Sequence, residues 1–481
     1  MIPAAELPLA DCSAKGFFIV KKIPETLLES LEGVQGFNRE SFERTHDEGT
    51  QVTSIRINPL KKLATEGPLQ LFEAQVPWSH NGVYLSKRPS FTFDPFFHAG
   101  CYYVQEASSM FLEQAMVQLA DLSQPLKVLD LCGAPGGKST HIQSLISPDS
   151  LLVSNEVIRS RSHVLVDNIV KWGGSNVIVT NNDPRAFENL QAYFDLVIVD
   201  APCSGSGLFR RDEEAIDEWS ANNVQLCARR QQRILADVYP ALKTGGLLIY
   251  STCSYSKEED EDIADWLVEV LQMENLTLKT DPAWNIVETV SPSKAAKGYR
   301  FYPDKLRGEG FFLSCFRKTE EARGFKRKVA RPEKPSAKEM AIISPWLNAE
   351  GSNIMKDASG FFALPAGQAD NYSLLSSLLE VRYAGIRLGT IMKDRLVPEH
   401  ALALGNIISS DTPFNDLPLD EAIRYLQKQD INCNSSGKGW QLVRYQGRNL
   451  GWVNILPNRI NNYYPKELRI LKQHNDSGFE K

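Results

Sequence analysis

The sequence predicts an α/β protein built on a doubly wound, mostly parallel sheet. An N-terminal α+β region precedes the sheet and a small C-terminal β-barrel module follows it. Three observations carry that expectation. From Leu126 to about Lys318, short apolar strands alternate with helical stretches, the pattern of successive βαβ units. A glycine-rich loop from Gly133 to Gly137 follows the first of these strands. Beyond a basic linker, the chain turns to short, glycine-punctuated β segments.

A chain of 481 residues is too long for one core. It divides into a loose tail (1–22), an N-terminal RNA-binding and packing region (23–120), the central domain (121–318), a basic linker (319–344) and a C-terminal region (345–481). The tail shows no periodicity. From Ile23 to about Arg56 the pattern looks helical, with Leu27, Leu28 and Leu31 at helix spacing. Residues 54–59 read as a short strand stopped by Pro59. Residues 89–99 carry Phe91, Phe93, Phe96 and Phe97 and read as packing beneath the central domain. Residues 103–119 read as a helix entering that domain. Its five strands fall at 128–131, 151–154, 177–180, 196–199 and 247–250. Helices at 139–145 and about 224–242 lie between them. Residues 382–390 are β-like, and residues 439–452 read as two strands around a turn at Gln446-Gly447.

Composition excludes several classes. Hydrophobic content of 42% and charged content of 23% are ordinary for a folded protein. No uninterrupted apolar run is long enough to span a bilayer, so no membrane partner is expected. Glu6 and Asp11 stand where a signal peptide would be basic and then apolar, so the expected location is the cytoplasm. Eight cysteines without a Cys-x-x-Cys pair argue against a zinc ribbon and a disulfide framework. Reduced thiols and no metal are expected. Net charge is −6, but a local patch sets a nucleic-acid footprint. Arg323, Lys326, Arg327, Lys328, Arg331, Lys334 and Lys338 face one acid, Glu333, in the linker. They form either a solvated connection or a strap on RNA phosphates.

The loop Asp130-Leu131-Cys132-Gly133-Ala134-Pro135-Gly136-Gly137-Lys138-Ser139 ends like a phosphate loop. The spacing fails, because that motif needs four residues between its first glycine and Gly-Lys. Only Ala134, Pro135 and Gly136 separate Gly133 from Gly137, and Pro135 removes a backbone donor. S-adenosylmethionine fits better. Glycines at the first strand-to-helix turn let backbone approach a ligand closely. Glu156, after the second strand, can accept from ribose hydroxyls, and Asp183, after the third, from an adenine amine. Each acid alone also reads as a loop residue or helix cap.

Two thiols close two strand-like runs, Cys203 in Asp200-Ala201-Pro202-Cys203-Ser204 and Cys253 in Ser251-Thr252-Cys253-Ser254. Carboxyl ends of parallel strands share one crevice, so both sulfurs face one pocket. Carbon five of cytosine is a poor nucleophile. A thiolate added to carbon six activates it toward a sulfonium methyl, and a base must then remove the carbon-five proton. A free cysteine is only a few per cent thiolate at pH 7, so a cation such as Lys138 would help. Asp200 is placed to hold cofactor or to polarise ring nitrogen three, and Lys138 to orient either ligand or support Cys253. An amino-methyltransferase generally carries Asp/Asn-Pro-Pro-aromatic where this chain has Asp-Ala-Pro-Cys.

These motifs resemble the NOL/NOP2/Sun RNA cytosine-C5 methyltransferases over most of the chain. Arg56-Ile57-Asn58 and Gly100-Cys101-Tyr102-Tyr103-Val104-Gln105-Glu106 are similar to the family's upstream motifs. The resemblance implies a Rossmann-like domain that binds S-adenosylmethionine on Cys132, Gly133, Ala134, Pro135, Gly136, Gly137, Lys138, Glu156, Asp183 and Asp200. It implies Cys253 as nucleophile and Cys203 in product release, which spacing alone does not assign; DNA cytosine methyltransferases attack with a Pro-Cys thiol. The family loop usually reads Cys-Ala-Ala-Pro-Gly, and Gly133 replaces its first alanine. Bacterial members with a C-terminal PUA-like module are similar at 382–390 and 439–465. They imply 16S rRNA, in the small ribosomal subunit or its precursor, as the partner of a monomer. A tRNA substrate or a non-catalytic ribosome-assembly factor are the alternatives.

Overall fold

The five expected strands form the middle of a ten-stranded sheet in the computed structural model. The structure describes residues 22–472, except 62, 64, 323, 325–328, 330–331, 349 and 433–436. The tail up to residue 21, and Arg323, Lys326, Arg327, Lys328 and Arg331 of the basic linker, lie outside the described residues.

The sheet runs Val287–Val290, Lys297–Phe301, Phe311–Arg317, Leu242–Thr252, Phe194–Asp200, Lys127–Asp130, Leu151–Asn155, Val177–Thr180 and Val381–Ala384. The short strand Glu274–Leu276 pairs antiparallel with Phe311–Arg317. The five middle strands, from Leu242–Thr252 to Val177–Thr180, are parallel, and the flanking ones are antiparallel. Their near-continuous burial is what a sheet covered on both faces requires. The order reverses on either side of Lys127–Asp130, which creates the crevice at the carboxyl ends.

The helix before the fifth strand is Ala221–Val238, starting and ending earlier than the expected 224–242. Pro240 ends it in a 3-10 turn, and Leu242 already belongs to the strand. Residues 103–119 are not one helix. Tyr102–Val104 is a strand, a 3-10 turn covers Ser108–Phe111, and the helix proper is Leu112–Leu119. The aromatic and β-branched run Tyr-Tyr-Val suits a strand. Glu106 then accepts from Ser108 N and Ser109 N and starts the turn.

The N-terminal region contains helices Glu25–Leu31 and Arg39–Asp47 and an antiparallel four-stranded sheet. Leu27, Leu28, Leu31 and Phe42 pack with Phe209, Tyr255 and Tyr302 of the central domain. Arg56 is buried and braces the two units. It donates to Gln105 Oε1 at 2.8 Å and Thr140 Oγ1 at 2.6 Å, and stacks 4.4 Å from the Trp172 ring. The aromatic run at 89–99 packs differently from expectation. Phe91 and Phe96 share a core with Leu417, Tyr425 and Val443 of the C-terminal module, with Phe96 and Tyr445 rings 5.2 Å apart.

Residues 382–390 split at Gly385, whose φ of +58° and close approach to Ala363 O leave no room for a side chain. Before it, Val381–Ala384 extends the central sheet. After it, Ile386–Met392 joins a separate sheet with Ser352–Asp357, Gly360–Pro365 and Arg395–Pro398. The strands Gly439–Tyr445 and Arg448–Leu456 pair around Gln446-Gly447, both at positive φ.

Candidate active site at the carboxyl ends of the strands

Phe194–Asp200 and Leu242–Thr252 lie side by side in parallel, with Asp200 opposite Ser251. That register carries the next turns of both strands to the same place. Cys203 Sγ and Cys253 Sγ are 2.9 Å apart, and both residues are partly buried. Ala201 N donates to Ser251 O and Gly207 N to Cys253 O, so backbone bonds tie the two loops. The hydrogen bond with Cys253, then burial, push the Cys203 thiol well above the ordinary cysteine range. Either sulfur can donate in this contact.

Lys138 enters from the first turn of the helix Gly137–Leu145, and its Nζ lies 2.8 Å from Asp200 Oδ2. Ser251 Oγ donates to Asp200 Oδ1 at 2.8 Å. Burial pulls the Lys138 ammonium down, but Asp200 more than offsets it and the net shift is upward. Cys253 adds to that upward pull, so the cation stands within electrostatic reach of the sulfur. An ion-paired Asp200 is an acceptor.

The glycine loop is a cradle with no spare volume. A Cβ at Gly133 would lie 2.4 Å from Ser154 Oγ and 2.8 Å from Ser139 Oγ. Those two hydroxyls meet at 2.6 Å, and Ser139 Oγ donates to Asp130 at 2.6 Å. The hydroxyls thus take the space a methyl at this position would need. Burial pushes the Asp130 carboxyl up to about 7, against the Ser139 hydrogen bond. Gly136 is left-handed at φ +119° and leads into the helix N-terminus. Cys132 lies partly buried beside this loop, its thiol raised by burial.

Glu156 follows the second strand and is buried. One oxygen accepts from Ile158 N at 2.9 Å and the other lies 3.7 Å from Arg161 Nη1. Val157 and Ile158 beside it are 54% and 48% exposed, an apolar surface at a strand end. Asp183 follows the third strand. It caps the turn Pro184–Asn189 by accepting from Arg185 N, is half-exposed, and lies 3.7 Å from Arg233.

The sequence reading missed Glu259, Asp260, Glu261 and Arg300. Arg300 donates to both oxygens of Glu261 and to Tyr255 O, and lies 3.0 Å from Asp260. Asp260 accepts from Thr252 Oγ1 at 2.6 Å. The residues on both sides of Cys253 are thereby pinned. The run of acids Glu258-Glu259-Asp260-Glu261 so close to a thiol was the available signal.

Three family models match the chain. Residues 23–107 match the N-terminal domain of 16S rRNA methyltransferase RsmF, residues 117–317 match 16S rRNA methyltransferase RsmB/F, and residues 413–470 match the methyltransferase RsmF PUA domain. A ribosomal RNA small subunit methyltransferase F from Vibrio vulnificus is 31% identical, over 93% of this chain and 97% of its own. The chain belongs to the ribosomal RNA small subunit methyltransferase F family. The relative of that name from Shewanella piezotolerans is 29% identical over 86% of this chain and 90% of its own. The solved structure of PH0851 is 26% identical, covers 62% of this chain and 66% of its own, and superposes with a TM-score of 0.55. The family is one of methyltransferases, and the PUA match begins at 413, beyond the split segment 382–390. Among the described residues no helix is long and apolar enough to cross a membrane, and no group of side chains could hold a metal ion.

Proposed function

We propose that the chain methylates carbon five of a cytosine in 16S rRNA through a covalent bond from Cys253 to carbon six. The observation that carries this reading is the pair of thiols 2.9 Å apart beside the Lys138–Asp200 ion pair. The relatives, ribosomal RNA small subunit methyltransferases by name, suggest the RNA.

The residues around the loop fit S-adenosylmethionine. The Cys132–Lys138 cradle offers backbone donors, Glu156 an acceptor for a ribose, and Val157 and Ile158 an apolar face for an adenine. Asp183 would supply a second acceptor, for the adenine amine. When bound, S-adenosylmethionine supplies an electrophilic sulfonium methyl.

In this reading Cys253 Sγ bonds to carbon six, which makes carbon five nucleophilic. Asp200, an acceptor, takes the exocyclic amine of the base. Lys138 supplies positive charge beside the ring while electron density moves onto it. Cys203 stays neutral during attack, because its hydrogen bond to Cys253 is the first cause of its raised pKa. Once Cys253 is a thioether that cause is gone. Cys203 can then give its proton to solvent and take the carbon-five proton as a thiolate base; the carbon-five–carbon-six double bond re-forms as Cys253 leaves as a thiolate.

The N-terminal region and the PUA module would bind RNA on either side of the target. The substrate would be the small subunit or its precursor, in the cytoplasm, met by a monomer. Bisulfite mapping of total RNA from cells with and without the protein tests the reading. Loss of one 5-methylcytosine in 16S rRNA is the expected result. Loss confined to a tRNA, or no loss, overturns it.

A further inference from the structure

We infer that Glu259 is a positioning residue that holds both thiols at their working separation, so that one buried carboxylate serves attack and release alike. The inference rests on the function proposed above.

Glu259 is fully buried, so it touches no substrate. Its Oε1 accepts from Ser204 N at 2.8 Å and Gln231 Nε2 at 3.3 Å. Its Oε2 accepts from the hydroxyls of Ser204 and Ser254, both at 2.6 Å. Ser204 follows Cys203 and Ser254 follows Cys253. One carboxylate therefore grips the residue after each sulfur, and the two loops cannot separate without breaking charge-assisted hydrogen bonds. Its own position is set from outside the loops. Tyr250 OH donates to Glu259 O at 2.6 Å, and Gln231, on the long helix, also donates to Pro202 O beside Cys203.

The clamp is more than is needed to fold the loops. Backbone bonds already join them, and the Asp260–Arg300–Glu261 network already anchors the strand end. Ser204 Oγ and Ser206 Oγ each also lie 3.4 Å from Ser254 Oγ, and Glu259 adds a charged acceptor shared by Ser204 and Ser254. Burial pushes its carboxyl above the ordinary range, and the donors from Ser204, Ser254 and Gln231 oppose that shift. A carboxylate can accept from all of these donors at once, which a glutamine amide cannot.

The test uses the full chain, S-adenosylmethionine and small-subunit RNA, free or in assembled subunits, whichever the wild type methylates. Single-turnover denaturing gels follow formation and decay of the covalent RNA–protein adduct. Glu259→Gln should slow both steps about ten-fold or more, since misplacing reacting groups by an ångström costs that much. RNA affinity should stay near wild type, and the variant should still melt cooperatively, at a lower temperature than the wild type. Ser254→Ala should slow adduct formation more than decay, and Ser204→Ala decay more than formation. A second readout needs no RNA. Phenylarsine oxide bonds to two neighbouring thiols, forming two As–S bonds and releasing water with no change of redox state. Its capture by Cys203 and Cys253 together, read by mass spectrometry, should also fall about ten-fold or more in Glu259→Gln.

A folded Glu259→Gln protein with wild-type adduct kinetics and wild-type arsenical capture overturns the inference. If that variant does not fold, the serine variants decide, and wild-type rates in both overturn it. If the wild type forms no adduct on any RNA, the proposed function fails, and arsenical capture alone judges the clamp.

Discussion

Cys253 and Cys203 are the same side chain given different work by their surroundings. Cys253 has Lys138 within electrostatic reach, while contact with Cys253 and burial push the Cys203 thiol up. Cys253→Ala should abolish methyl transfer and leave cofactor affinity unchanged by calorimetry. Cys203→Ala should still attack, so a denaturant-resistant RNA adduct should accumulate on gels. Normal turnover with no adduct would remove Cys203 from release. Asp130 makes a separate prediction about stability. Its folded carboxyl sits at about 7, against an ordinary value near 4. The folded state therefore binds the extra proton. That stability is fully present below about pH 4 and is lost as pH rises through about 7. Melting temperature should fall between pH 5 and 7.5 in the wild type and less steeply in Asp130→Asn. Equal slopes would show that another group governs this range.

At the scale of elements, the strands were legible and their ends were not. Runs such as Val-Ile-Val-Thr at 177–180 are apolar and β-branched throughout, so local propensity and burial agree. Gly133 looked like a mild departure from a usual alanine. The hydroxyls of Ser139 and Ser154 make it a requirement, because they occupy the volume a methyl would need. Gly133→Ala should cost about 1–3 kcal/mol by overpacking and weaken cofactor binding. Adding Ser154→Ala should restore part of both, measured by denaturant melts and calorimetry as a double-mutant cycle. Independent, additive effects would mean the two positions do not share that volume. Arg300 was illegible for a different reason. It holds Tyr255 directly and Thr252 through Asp260, all some forty residues earlier, and no local pattern announces such a partner. Arg300→Met should destabilise the chain by about 3–5 kcal/mol, since it strands buried carboxylates.

Across the whole molecule, the units share cores more than their order in the chain suggests. Phe362, Leu364, Leu375 and Leu379 pack with Phe187, Leu190 and Tyr193 of the central domain, and Val381–Ala384 covers the edge strand Val177–Thr180. A chain ended at residue 344 should therefore expose an apolar sheet edge and aggregate. Light scattering and thermal melts would read this, and a monodisperse truncated protein with an unchanged melting temperature would refute it. The N-terminal helices Glu25–Leu31 and Arg39–Asp47 likewise sit on Phe209 and Tyr255, a few residues past each thiol. RNA bound to that region would press directly on the segments that carry the chemistry.

The sequence by itself determined the class of sheet, the identity of the loop and the two thiols. Each of these is written in contiguous residues: a strand in its apolar run, a close backbone approach in its glycines, a nucleophile in its side chain. Only the tertiary structure decided which groups meet. The sulfurs come together because two parallel strands share a register, and Glu259 joins them because a later turn folds back beneath both loops. Those contacts link residues about fifty positions apart, and a linear pattern holds no record of them.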